Sequence, residues 1–298
     1  MSSSHSLGRA LCAMVTPFSD DGSLDLDGAQ KLAARLVDDG CDGLVLNGTT
    51  GESPTTTDAE KTALVRAVSE AVGGLTSIVA GVGSPDTRHT VELAQAAEAA
   101  GADGLLVVTP YYSRPPQAAV EAHFLRVADA VGVPLMLYDI PGRTGTRIEP
   151  DTLLRLAAHP RIVAVKDCAY DLPASTKVIA RSELAYYSGC EELNLPLYAV
   201  GGAGFVSTVA NVAAPQLRAV LDAFDVGDNA RAIRLNQLAL PLAELMMASG
   251  LPGTVTAKAL LGALGLSAGG VREPLQPAGR EASCGLLAAY EELTRSST

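Results

Sequence analysis

Tryptophan is absent from the 298 residues, and aromatics of all kinds reach only 4%. A core with so few rings must be aliphatic. The hydrophobic share of 48%, rich in Ala, Leu and Val, is enough to fill a large one. No apolar run approaches the roughly 18 residues needed to span a bilayer. The opening Met1-Ser2-Ser3-Ser4-His5 lacks the basic and apolar regions of a secretory signal. A cytoplasmic protein without a membrane partner is therefore expected. Positive charge is also scarce: 22 Lys and Arg stand against 33 Asp and Glu, for a net charge of -11. No basic cluster interrupts that balance, so a nucleic-acid partner is not expected, because phosphate binding needs a basic surface. The cysteines Cys12, Cys41, Cys168, Cys190 and Cys284 are odd in number, scattered and never in a CxxC pair. That argues against a disulfide framework or a structural zinc site. The histidines His5, His89, His123 and His159 are not spaced as ligands of one metal.

What is present is a beat. Short apolar runs alternate with longer Ala/Leu-rich stretches, and the runs fall at 10–15, 43–46, 77–82, 105–109, 134–138, 163–167, 184–188 and 204–209. These eight read as buried strands. Between them, Thr57-x-x-Glu60 reads as a capping box opening a helix over 60–72, and Asp27-x-x-Gln30 as one opening 31–39. Gly40, Gly73 and Gly101 are candidate helix C-caps. Gly40-Cys41-Asp42-Gly43-Leu44 is nearly repeated by Gly101-Ala102-Asp103-Gly104-Leu105, as a repeated βα unit would require. An open doubly wound sheet is the rival, but no G-x-G-x-x-G follows the first strand, and Gly81-Val82-Gly83 lacks the third glycine. The expected fold is an α/β (β/α)8 TIM barrel. Past about residue 213 strands give way to helical stretches at 215–224, 230–249 and 254–264. The expected division is a barrel carrying the active site over 1–228 and a C-terminal helical extension over 229–298.

Lys166 sits in the apolar run Ile162-Val163-Ala164-Val165-Lys166-Asp167. Burying an ammonium is costly, so such a lysine either pairs with a carboxylate such as Asp167 or is held as a neutral amine. A neutral amine attacks carbonyls and forms a Schiff base. On a barrel, catalytic groups gather at the C-terminal strand ends. The unusual polar residues fall there: Asn47-Gly48-Thr49-Thr50-Gly51-Glu52 after the second strand, Thr109-Pro110-Tyr111-Tyr112 after the fourth, and Tyr138-Asp139-Ile140-Pro141-Gly142-Arg143-Thr144-Gly145 after the fifth. Lys166 lies near the end of the sixth and Ser188-Gly189 ends the seventh. Each piece alone has a bland reading, a tight turn or a wet phenol. Together they place an amine, hydroxyls, phenols and a guanidinium on one ring.

These residues carry a resemblance. The Gly48-Thr49-Thr50-Gly51-Glu52, Thr109-Pro110-Tyr111-Tyr112, Tyr138-x-x-Pro141-x-Arg143-Thr144-Gly145 and Lys166-Asp167 motifs, in that order, resemble the dihydrodipicolinate synthase and N-acetylneuraminate lyase family of pyruvate-dependent, Schiff-base-forming aldolases. The likeness runs from Met14-Val15-Thr16-Pro17-Phe18 to about residue 277. It implies that Lys166 forms an imine with pyruvate, that Tyr138, Thr49 and Tyr112 relay protons, and that Thr50 holds the pyruvate carboxylate. It implies further that Arg143 holds a carboxylate of the aldehyde, and that Gly189 and Val206 line the pocket. Arg143 favours the synthases, which condense pyruvate with L-aspartate 4-semialdehyde to 4-hydroxy-tetrahydrodipicolinate. A related lyase acting on a sugar acid or another aldehyde is the alternative. The resemblance implies no metal or organic cofactor. It also implies a homotetramer, a dimer of dimers, with Tyr112 entering a neighbouring subunit's site.

The match departs in places. Where lysine-inhibited members carry two histidines, an asparagine and a glutamate, this chain has Asp58, Lys61, Pro85 and His89, so strong inhibition by lysine is not expected. Ala164 stands where glycine is frequent, and Asn47 where a small residue is usual, which could add a donor to the pocket.

Overall fold

The computed structural model describes residues 7–266 and 268–297. Eight parallel strands close on themselves: β1 (Ala10–Ala13), β2 (Gly43–Leu46), β3 (Ser77–Gly81), β4 (Gly104–Val108), β5 (Leu135–Asp139), β6 (Ile162–Asp167), β7 (Ala185–Ser188) and β8 (Gly204–Ser207). Each strand pairs with the next, and β8 returns to β1 through the register Leu11↔Val206. The helices are α1 (Leu26–Asp38), α2 (Asp58–Val72), α3 (Thr87–Ala99), α4 (Gln117–Asp129), α5 (Pro141–Thr144), α6 (Pro150–Leu156), α7 (Leu172–Ile179), α8 (Asn194–Ala199), α9 (Ala210–Asp225), α10 (Asn229–Met247), α11 (Gly253–Ala263) and α12 (Arg280–Ser296). The α5 turn is an extra element after β5; the other helices through α9 ring the barrel. This is the TIM barrel with C-terminal helices that the eightfold beat predicts.

Strand parity sorts the side chains into two cores, because successive residues of a strand face opposite sides. Leu11, Ala13, Val45, Val79, Leu106, Met136, Tyr138, Ala164, Tyr187 and Val206 fill the barrel interior. Their neighbours Cys12, Leu44, Leu46, Ile78, Leu105, Leu135, Leu137, Val165, Tyr186 and Phe205 face the helices. Those strands are apolar on both faces, so they read as unbroken apolar runs rather than alternating ones. The same outer core takes in Leu242 and Met246 of α10, Leu260 and Leu261 of α11, and Leu286 and Leu293 of α12. Among the described residues no helix is long and apolar enough to cross a membrane.

Several local expectations need correction. The first helix is capped by Asp25, whose side chain accepts from the Gly28 N–H. Asp27 and Gln30 only mimic the capping spacing from inside the helix. The Thr57/Glu60 capping box is formed as expected. Gly73 is the C-cap of α2 as expected, with Gly74 taking the left-handed backbone after it, whereas Gly40 and Gly101 take left-handed backbone one residue past the caps Asp39 and Ala100 of α1 and α3. The helix read from Pro215 begins at Ala210, with a break at Ala213 that places Pro215 in a fresh first turn, where its missing N–H is harmless. The α12 helix lies within the expected helical extension but outside the three helical stretches named there, and it buries Leu286 and Leu293.

Candidate active site

The lysine that interrupts the apolar run of β6 shares strand parity with Ala164 and Cys168, both of which lie in the inner core. Its chain therefore points into the barrel, near the C-terminal end, and the residue is 6% exposed. In register beside it stand Tyr138 on β5 and Tyr187 on β7. The Lys166 Nζ lies 4.6 Å from the Tyr138 ring centroid. Asp167, of opposite parity, turns away toward the helices and accepts from Ser175 Oγ at 2.5 Å. Lys166 is thus not the partner of its neighbouring carboxylate, and it has no salt bridge among the described residues.

The electrostatics follow from that placement. Burial pushes the Lys166 ammonium below its ordinary range; the Cys168, Glu191 and Cys190 side chains oppose the shift, while the Arg143 cation adds to it. Burial likewise raises the Tyr138 phenol well above its usual value, and Arg143 pulls it back. The phenol therefore stays protonated, and the lysine is biased toward its neutral amine. Gly189, just past β7, leaves room for the lysine: a Cβ there would lie 2.8 Å from Lys166 Cε and would overlap Cys168 Sγ, so one of those side chains would have to move. Cys168 Sγ in turn sits 4.0 Å from the Tyr138 hydroxyl.

Loops complete the mouth. In the loop after β2, Asn47 and Glu52 both take positive φ, 55° and 56°. Between them Thr49 is exposed and Thr50 buried. Thr50 Oγ1 meets Thr208 Oγ1 at 2.9 Å, and Thr16 Oγ1 donates to the Gly51 carbonyl at 2.6 Å. The loops after β1, β2 and β8 are thus bonded to one another. Glu191, beyond β7, accepts from Ser207 Oγ and from the Thr208 and Val209 N–H groups, which fixes the β8 loop. Arg143 is exposed on α5. Tyr112, with φ 73°, is 95% exposed, and its N–H reaches the Thr144 carbonyl at 3.4 Å. Val206 is buried in the inner core.

A buried amine, a phenol and a threonine loop meet at the C-terminal mouth of the barrel, where barrel enzymes carry their active sites, and comparison with known proteins gives the family. The profile described as the dihydrodipicolinate synthetase family matches residues 6–292. The chain belongs to that family. It is 74% identical over 286 residues to 4-hydroxy-tetrahydrodipicolinate synthase 1 of Streptomyces coelicolor, covering 96% of this chain and 94% of that one. A crystal structure of dihydrodipicolinate synthase from Bacillus anthracis superposes with a TM-score of 0.92 at 36% identity, covering 96% of this chain and 98% of that one. The enzyme from Cyanidioschyzon merolae, crystallised with lysine bound, gives a TM-score of 0.94 at 36% identity, covering 97% and 99%.

Within this family member the expected site residues divide into two groups. Lys166, Tyr138, Gly189 and Val206 converge on the barrel interior. Thr49 and Thr50 lie on the loop after β2, Arg143 on α5, and Tyr112 stands out into solvent. Asn47 does not add a donor to the pocket: its Nδ2 donates to the Lys61 carbonyl at 3.1 Å. Ala164 lies two residues below Lys166, against the inner core. Asp58 and His89 are brought together at 2.8 Å. The sequence carries no local signal for Glu191 or for the tie between Glu52 and the C-terminal helices, because those partners are distant in the chain.

Proposed function

We propose that this chain condenses pyruvate with L-aspartate 4-semialdehyde to give 4-hydroxy-tetrahydrodipicolinate, through an imine on Lys166. The observation that carries the reading is an inward-pointing lysine, buried and biased toward its neutral form, beside the Tyr138 phenol. The neutral amine attacks the pyruvate ketone, water leaves, and an imine forms. Loss of a methyl proton gives the enamine, whose carbon attacks the semialdehyde. The semialdehyde amino group then attacks the imine carbon, closes the ring and expels Lys166. The four-carbon aldehyde and pyruvate supply all the product atoms, so the lysine is the one covalent participant the enzyme must provide.

Proton transfers at each stage fall to hydroxyls that both donate and accept, Tyr138, Thr49 and Tyr112. Tyr138 is nearest the amine. Thr50 and the N–H groups of its glycine-flanked loop receive the pyruvate carboxylate, Arg143 the semialdehyde carboxylate, and Gly189 and Val206 leave room beside the imine. The high exposure of Tyr112 supports a role in a neighbouring subunit's site, within a homotetramer built as a dimer of dimers. The reading takes residues 1–228 as the catalytic barrel and 229–298 as its helical extension, working in the cytoplasm. Borohydride reduction in the presence of pyruvate tests the covalent step. Mass analysis is expected to find the reduced adduct on Lys166 alone; an adduct elsewhere, or none, would remove the reading.

A further inference from the structure

The loop that carries Thr49 and Thr50 is held at both ends by non-glycine residues in left-handed backbone, Asn47 and Glu52. Such conformations cost about 1–3 kcal/mol each and persist only where the surroundings impose them. At Glu52 the surroundings come from far down the chain. Its side chain is 1% exposed, and Oε1 lies 2.7 Å from Nζ of Lys258 on α11, itself 3% exposed. Oε2 accepts from the Arg272 backbone N–H at 2.8 Å. From the first turn of α11, Thr254 Oγ1 donates to the Thr49 carbonyl at 3.3 Å. Lys258 also donates to the Gly270 carbonyl at 2.6 Å, and both its Nζ and the Arg272 guanidinium stack on Phe18, at 4.2 and 4.1 Å from the ring centroid. The guanidinium continues to the Gly22 and Thr55 carbonyls and to Glu60. Apart from the Lys258–Gly270 bond, which closes within the segment 254–272, and the Glu60 pair on α2, these contacts join that segment to loops at the mouth of the barrel.

A buried ion pair is a poor source of stability, since desolvating two charges offsets most of their attraction, and well-packed apolar replacements are often as stable. What such a pair supplies is direction. From this geometry we infer that Glu52 and Lys258 are positioning residues for catalysis: the pair, with Thr254, locks the backbone of the Thr49 loop so that its hydroxyls stay in register with Tyr138 and Lys166. The inference rests on the assignment of Thr49 to the proton relay. It makes α11 part of the catalytic apparatus, although none of its side chains need touch substrate.

The double variant Glu52→Gln/Lys258→Met removes both charges at near-constant volume and keeps an acceptor for the Arg272 N–H. Its thermal midpoint, borohydride trapping of pyruvate on Lys166, and kcat and KM for condensation are measured on the full-length oligomer. Misplacing a catalytic group by ~1 Å can cost up to about a hundredfold; the expected result is a kcat lowered by about tenfold per folded protein, with pyruvate trapping retained. The same pair of changes in a Thr49→Val background is expected to cost no more than about twofold, because residues that act through one another are not additive. Undiminished kcat, or a tenfold loss that persists when Thr49 is already valine, would overturn the inference. If Thr49→Val alone leaves kcat intact, the relay assignment itself is wrong, a separate failure. Should the double variant not fold, Thr254→Val carries the test: a kcat drop of about threefold at unchanged midpoint is expected, and no drop would count against the lock.

Discussion

At the scale of single residues the site turns on one steric and one dielectric fact. An ammonium at the Lys166 position would be buried without a salt bridge among the described residues, so burial favours the neutral amine, against the opposing pull of Glu191. The rate of imine formation is therefore expected to rise with pH and level off below the ordinary lysine value of about 10.4. A plateau reached only near that value, in rapid-mixing trapping experiments, would mean that burial does not tune the amine. The steric fact is Gly189. A methyl there must displace Lys166 Cε or Cys168 Sγ, so Gly189→Ala is expected to slow trapping by about ten- to a hundredfold while the circular dichroism stays native. Lys166 was legible in the sequence because a lysine in an apolar strand needs a reason. Glu52 was legible as part of a motif but not as half of an ion pair, because Lys258 lies far along the chain and nothing local announces it.

At the scale of elements, β5 and β6 do two jobs by parity. Their inward residues, Tyr138 and Lys166, are catalytic candidates, and the residues that follow, Asp139 and Asp167, are paired in register on the outward side. Burial, with the Asp167 charge adding to it, pushes the Asp139 carboxyl up to about 7, while the Ile148 N–H opposes the shift. An unfolded aspartate titrates near 3.9, so between about 4 and 7 the folded chain holds the extra proton. Folding stability from this group is full below that window and is lost as pH rises through it. Thermal unfolding of Asp139→Asn across that range is expected to lack the decline that the native chain shows; parallel curves would assign the carboxyl a charged state throughout. The strands themselves were legible to within a residue or two, since their runs are apolar on both faces. Helix entries were less so. Thr57 and Glu60 form the box their spacing suggests, whereas Asp27 and Gln30 share the spacing and do not, because Asp25 already caps that helix. The α12 helix escaped because its deeply buried residues are just Leu286 and Leu293.

At the scale of the whole molecule the barrel and the C-terminal helices share a continuous outer core, and the mouth of the barrel is tied to residues 254–272. Tyr112 is exposed, and the proposed function places it in a neighbouring subunit's site. Mixing Tyr112→Phe with Lys166→Ala subunits, each inactive alone, is expected to restore about a quarter of native activity, because half the random dimers are mixed and each of these has one native site. No recovery would confine the site to one subunit. Inhibition by L-lysine is expected to be weak: Asp58 is engaged with His89 at 2.8 Å, and the Lys61 ammonium, already donating to the Thr56 carbonyl, repels a second cation. Submillimolar inhibition in a titration would contradict this. The most direct test of the proposed chemistry is turnover of pyruvate plus L-aspartate 4-semialdehyde, coupled to the next reductase and followed by NADPH loss, with Lys166→Ala as control. Fast turnover in the native enzyme and none in the variant is predicted. A native enzyme that traps pyruvate on Lys166 yet does not turn over the semialdehyde would contradict the assignment of the aldehyde, and undiminished turnover by Lys166→Ala would contradict the imine.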